Sequence, residues 1–366
     1  MKIIKIAFLA IISLNLASCG EDEVTTDTTT TTTYTTTDCS AKTGAEKVAC
    51  LSTNFLASLS SSQQTSAVNT LNLTNAKKWY NLPEGPVSRI GIKFETLSAS
   101  QLALAKEIIS AALGTSTNEG SKEFFLINGA DDEIQAVNTD TKVTYGNGKF
   151  LIGFLGTPST TGKWMLQIGG HHYGANITYD KGAVVSGTPY FVGLEPLEVT
   201  NSGVKSTPLA QERNGMADML ASFTAAELAS AKATSTFTDL LMSPGSTSNS
   251  FPTTKLGVKV GSLSSAAQAK VLAAMKPWVD DLDASTATTF TSLYNSELAD
   301  TYVTYSGSTS GVAGNATNFL TSNSDYVRID GPSVWIELSV QTGNTFKTQV
   351  HYHTVYRDRN KDYIGL

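Results

Sequence analysis

The sequence predicts an α+β protein, a mixed alpha/beta domain built as two pseudo-symmetric strand-helix-strand halves around a shared cleft. Three observations carry this expectation. Strand and helix signals alternate, separated by loops rich in Gly, Ser and Thr. A short strand followed by a helix cap occurs twice, at Arg89–Ser98 and at Lys255–Ser264. All four histidines fall in two tight pairs, one in each proposed half. The 366 residues are 40% hydrophobic and 16% charged, so the chain can bury a sizeable core. A net charge of -6 and a pI near 5.3, with no Lys/Arg cluster interleaved with aromatics, exclude nucleic acid as the expected partner.

Read in order, residues 1–19 form a signal peptide. Lys2 and Lys5 make a basic start, Ile6 to Leu16 is apolar, and Leu16-Ala17-Ser18-Cys19 has the small-residue pattern of a bacterial lipobox. Cys19 is therefore the expected lipidation site, and an ordinary secretory signal with an accidental cysteine is the alternative. The acidic run Gly20-Glu21-Asp22-Glu23 resembles surface-export signals of some lipoproteins. The expected location is the bacterial cell envelope, lipid-anchored at the outer membrane or cell surface. The membrane is then a partner through the N-terminal lipid alone, because no later apolar run approaches the roughly 18 residues of a membrane span. Residues 20–38 are almost pure threonine after Val24 and read as an extended tether. Cys39 and Cys50, the remaining cysteines, suit a disulfide in an oxidising compartment, with two free thiols as the alternative. The globular domain is then 39–366, with halves at about 85–250 and 251–366.

Within that domain, Arg89-Ile90-Gly91-Ile92-Lys93 and Lys255-Leu256-Gly257-Val258-Lys259 each read as a short strand, and Ser98 and Ser264 as helix N-caps. Ser98 to Gln101 and Thr224 to Glu227 have capping-box spacing, each opening an Ala-rich helix. Trp164 to Ile168, leading to His171-His172, echoes Trp335 to Val340, leading after an insertion to His351-Tyr352-His353. Each Trp-led stretch reads as a strand. If the repeats are genuine, the two histidine pairs hold comparable places in two halves.

His351 and His353 lie in a β-rich stretch, where residues two apart share a face, so both imidazoles can reach one ion. For His171 and His172 two geometries are open. A continued strand sends the rings to opposite faces, whereas Gly169 and Gly170 can bend the chain and aim both inward. Up to four imidazoles without a thiolate suit a transition metal, Zn first and Cu, Ni or Fe behind it, and disfavour Ca and Mg. Glu195, between turn signals, is the first carboxylate expected to complete or orient the site. Asp358 is the second, as ligand or as the partner that fixes a histidine tautomer. Arg357 suits an anionic substrate or a plain salt bridge. A packed, hydrogen-bonded histidine pair is the bland alternative for each doublet.

These residues resemble the bacterial "domain of unknown function 3500" family. The likeness lies in Gly170-His171-His172 with Asn176, in Thr188-Pro189 through Phe191, Gly193, Glu195 and Pro196, and in His351, His353, Arg357, Asp358, Asp362 and Tyr363. It spans about Arg89 to the end. The family pattern closes on Asp-Tyr-Gly, whereas here Ile364 separates Tyr363 from Gly365. The resemblance implies shared positions and no reaction. His-Glu-x-x-His, P-loop, Gly-x-Gly-x-x-Gly and Gly-x-Ser-x-Gly patterns are missing from the sequence. Three functions remain. The first is a metal-dependent hydrolase, with the histidines as ligands, Glu195 or Asp358 as base and Arg357 steadying an anionic transition state. The second is a non-catalytic lipoprotein that binds a metal or a small anionic molecule. The third is a structural lipoprotein with a buried His/Arg/Asp network.

Overall fold

The computed structural model describes residues 33–84, 89–201, 203–245, 250–307 and 313–366. The signal peptide, Cys19 and most of the proposed tether lie outside the described residues. The folded unit runs from Tyr34 to Leu366. Thr37 already belongs to it: its backbone exchanges two hydrogen bonds with the Asn54 side chain. Cys39 and Cys50 form a disulfide, with Cα atoms 5.9 Å apart.

The architecture is α+β. Helix α1 (Gly44–Ser58) buries Val48, Leu51, Phe55 and Leu56, the spacing of one helical face. It is followed by α2 (Ser61–Ala67), opened by a Ser60/Gln63 capping box, then β1 (Val68–Asn69), α3 (Leu73–Ala76) and β2 (Ile92–Lys93). Helix α4 (Ala99–Ala112) starts with the Ser98/Gln101 capping box and leads to α5 (Ser121–Val137). Five strands then meander: β3 (Leu151–Leu155), β4 (Trp164–Gly170), β5 (Tyr173–Asp180), β6 (Ala183–Ser186) and β7 (Tyr190–Leu194). A small hairpin, β8 (Val199–Asn201) and β9 (Val204–Ser206), follows.

The second run of elements begins with α6 (Ala210–Ala221) and α7 (Ala225–Ala231), the latter opened by the Thr224/Glu227 capping box. It continues through β10 (Val258–Lys259), α8 (Ser265–Asp280, capped by Ser264) and α9 (Ala284–Ser296). It ends in β11 (Tyr302–Ser306), β12 (Tyr326–Asp330), β13 (Val334–Thr342) and β14 (Val350–Asp358). Both glycine-centred strands are only two residues long. Gly91 (φ 115°) and Gly257 (φ 87°) bring the chain so close to a neighbouring strand that a Cβ would lie 2.6 Å from the Ile152 carbonyl oxygen and 2.0 Å from that of Val303.

All strands except β8 and β9 join one sheet, ordered β1-β3-β4-β5-β7-β14-β13-β12-β11-β10, with β2 on β3 and β6 on β5. Among the described strands only β1 and β3 pair in parallel. The middle of the sheet is the antiparallel β7/β14 pair, where His353 faces Gly193. One face carries helices: Trp278 of α8 donates to the Thr354 hydroxyl, and Tyr294 of α9 bonds Tyr356. The other face is covered by irregular chain, with Trp79, Leu240 and Met242 packed on Phe191, Trp335 and Val355. Burial on both faces explains the nearly unbroken apolar run of β7.

This topology corrects the expected equivalence of the histidine pairs. His171 and His172 are the two-residue turn of the β4/β5 hairpin, between paired Gly170 and Tyr173. His351 and His353 lie within β14. Counted outward from the central β7/β14 pair, the hairpin matching β4/β5 is β12/β13, whose turn at Gly331–Ser333 holds no histidine. The Trp-led strands β4 and β13 are likewise one position out of step in that count.

Candidate functional site

Two routes of chain meet at one end of the central strands. Strand alternation puts His351 and His353 on the same face of β14. Gly193, on the neighbouring strand, donates its backbone N–H to the His172 carbonyl at 2.8 Å. Gly193 also makes the room: a Cβ there would meet His172 Cδ2 at 2.7 Å and His353 Cδ2 at 3.2 Å. The His172 ring centroid lies 5.7 Å from that of His351 and 5.6 Å from that of His353. One ring nitrogen from each of the three falls within 4.8 Å of the others.

Neither expected geometry for the early doublet holds. The strand stops before it, and the turn stacks the His171 and His172 rings at 3.7 Å. His172 takes φ 60°, a left-handed conformation that a residue with a Cβ adopts at a cost. Such strain persists where surrounding structure enforces it, and it concentrates at functional positions.

The other ring nitrogens are held from outside. His351 Nδ1 lies 3.0 Å from the Thr342 carbonyl oxygen, which only accepts, so the ring proton is on Nδ1. His353 Nδ1 is 3.1 Å from Asp239 Oδ1, and the Gln341 amide is 2.9 Å from the same nitrogen. Burial pushes the Asp239 carboxyl up, but hydrogen bonds from His353 and from the Leu240 N–H bring it below the usual range. Donation to Asp239 puts the His353 proton on Nδ1, whereas donation from Gln341 Nε2 puts it on Nε2, where it bonds His351 Nε2. With Asp239 as the acceptor, both Nε2 atoms carry lone pairs and face each other at 3.2 Å. Burial, aided by the neighbouring His353, lowers His351 to about 4. Burial and the other three histidines hold His172 well below the ordinary histidine value. Both rings are neutral at pH 7.

His171 is turned outward from this trio. Its Nδ1 lies 2.8 Å from Asp131 Oδ1 of α5, and Tyr145 packs edge-on against its ring at 4.8 Å. Tyr145 also lines a cleft of about 450 Å³ with Pro83, Asn138, Asp140, Asn344 and Lys347. Arg89 reaches the Gly170 carbonyl, beside the turn, at 3.4 Å. Burial lowers its guanidinium to about 10, against the opposing pull of Asp131. The larger hollow of about 710 Å³ along α5 and β8 touches none of the histidines.

The family described as "Protein of unknown function (DUF3500)" matches residues 41–365. The chain belongs to the DUF3500 family. No curated protein and no solved structure matched it. The match starts well before Arg89, so the first helices of this DUF3500 member belong to the family unit as well.

The remaining expected site residues are placed elsewhere. Glu195 Oε1 accepts the backbone N–H groups of Thr345 and Phe346, at 2.8 and 2.7 Å, and so ties the β13/β14 loop; no histidine bonds it. Asp358 lies on the opposite face of β14 from His351 and His353, because it is an odd number of residues from both would-be partners' row: its side chain accepts from Tyr294 Oη and from the Asn360 N–H. It cannot fix their tautomers. Arg357 shares the histidine face but sits four residues along, roughly 13 Å from His353 by strand rise. It donates to Asp362 Oδ2 at 2.6 Å and to the Met242 carbonyl. Asp362 also accepts from the Asp358 N–H, and the Tyr363 hydroxyl accepts from Trp79 Nε1. Asn176 accepts from Gln167 and donates to the Pro189 carbonyl. These groups brace the fold around the DUF3500 histidine centre. The residues that serve it, Asp131, Asp239, Gln341, Tyr145 and Arg89, carried no sequence signal of their own. The carboxylates lie far from their histidines in the chain, and only the sheet joins them.

Proposed function

We propose that this DUF3500 member is an exported, lipid-anchored metalloprotein in which His172, His351 and His353 hold one transition-metal ion, zinc first, and that it acts as a metal-dependent hydrolase. One observation carries the metal reading. Two imidazole Nε2 atoms face each other at 3.2 Å, and an acceptor, the Thr342 carbonyl for His351 and Asp239 for His353, stands at each opposite nitrogen. With both ring protons donated to those acceptors, the facing lone pairs repel unless a cation lies between them. Zinc–nitrogen bonds near 2.0 to 2.1 Å at a tetrahedral angle separate two ligand nitrogens by about 3.3 Å.

Three protein ligands leave a fourth position, the arrangement of catalytic rather than structural zinc. Metal-bound water has a pKa near 7 and is a nucleophile at neutral pH. The cleft lined by Tyr145 approaches the centre as far as His171, on which Tyr145 packs, and Arg89, rather than Arg357, is the cation at the His171–His172 turn. The Cys39–Cys50 disulfide supports an extracytoplasmic location, since disulfides persist in oxidising compartments.

The test is elemental analysis of tagless protein after zinc loading and desalting. About one zinc per chain is expected, with His351→Ala and His172→Asn each losing it. Retention of less than about 0.1 equivalent by the wild type would sink the metal reading. For the open position, azide added to cobalt-substituted protein should shift its visible absorption. An unchanged spectrum would point to a closed, non-catalytic site.

A further inference from the structure

We propose a second, chemically different cation site: Glu119, Glu123, Glu212 and Asp281 hold a hard divalent ion, calcium first, that ties α5 to α6 and α8. One oxygen from each of the four carboxylates lies within 4.8 Å of the others, and all four residues are buried. They arrive from three separate places: the start of α5, the first turn of α6 and the end of α8.

The proximity of acids would carry little by itself. The second observation is Glu123, which has 0% exposure and no hydrogen-bond donor on either oxygen from outside the four acids, while pointing into the other three. Both oxygens of Glu119, Glu212 Oε2 and Asp281 Oδ2 are buried and likewise find no donor outside the four acids. Asp281 Oδ1 alone takes a backbone donor from the loop, the Gly120 N–H at 2.7 Å. Among the described residues no Lys, Arg or His forms an ion pair with any of the four.

Buried charges of one sign need an opposite charge or protons. One proton shared within each of two carboxyl pairs would satisfy four of these six oxygens and leave a net charge behind. A divalent ion that takes about six to eight oxygens, as calcium does, uses all of them. One such ion halves the charge of four carboxylates and two neutralise it, so the stoichiometry is part of the measurement. The ligands are oxygen only, which separates this site from the nitrogen-rich histidine centre by the metal it prefers.

The experiment uses the full mature chain, stripped with EGTA and titrated with calcium chloride alone. Calcium content after desalting and the thermal midpoint are read together. Retention of at least one calcium and a rise in Tm of about 5 °C at saturation are expected. Glu123→Gln should abolish the calcium-dependent rise, whereas His172→Asn should keep it. Asp281→Asn serves if Glu123→Gln does not fold. The proposal is overturned if calcium, magnesium and manganese all leave the wild-type midpoint unmoved. It is also overturned if either carboxylate variant shows the wild-type calcium response.

Discussion

At the scale of single residues, the centre depends on groups that hold the histidines as much as on the histidines. Asp239, 3.1 Å from His353 Nδ1, is the acceptor that leaves the ring's Nε2 free to face His351 as a ligand. Replacing such an orienting partner usually weakens metal affinity by roughly 10- to 100-fold. Asp239→Asn should fall in that range by competition with a chelator, with Tm almost unchanged because Asp239 is 44% exposed. An affinity equal to wild type would remove Asp239 from the site. The histidines were visible in the sequence because they are few and paired. Asp239 and Asp131 were not, since a carboxylate in a polar segment looks like any solvated acid until the fold sets it beside a ring. Asp358 shows the converse: nearness in sequence suggested a partner for His353, and strand alternation sent it to the other face.

At the scale of elements, the β4/β5 hairpin makes the site by interrupting itself. A two-residue hairpin turn with a left-handed second position favours Gly or Asn, and here it carries His172. His172→Asn, which tolerates that conformation, should keep Tm within about 3 °C of wild type while zinc is lost. A fall in Tm well beyond that would mean that the ring is there for packing. The capping boxes at Ser98 and Thr224 were legible because they are local: a side chain bonds a backbone N–H three residues on. The end of β4 was not. Gly169-Gly170 fits a strand, a bulge or a turn equally well, and the choice falls to the pairing of β4 with β5 and of β5 with β7.

At the scale of the whole molecule, one sheet joins the early and late parts of the chain through β7 and β14, and the C-terminal segment locks over its irregularly covered face. Arg357 and Asp362 form a buried pair, 2% and 7% exposed. Removing one partner of such a pair costs about 3–5 kcal/mol. Arg357→Ala should therefore lower the midpoint of denaturant unfolding strongly and leave zinc stoichiometry intact in the folded protein. Loss of zinc without loss of stability would instead put Arg357 in the centre. By itself the sequence determined the α+β class, the capped helices, the β14 strand with two same-face histidines and the family membership. Each of these is written in local periodicity or in residues close together along the chain. The tertiary structure alone decided which strands are neighbours, that the two histidine doublets converge from non-equivalent places, and which acids attend them. Those are contacts between distant segments, fixed by the burial of a twelve-stranded sheet on both faces, and no local pattern encodes them.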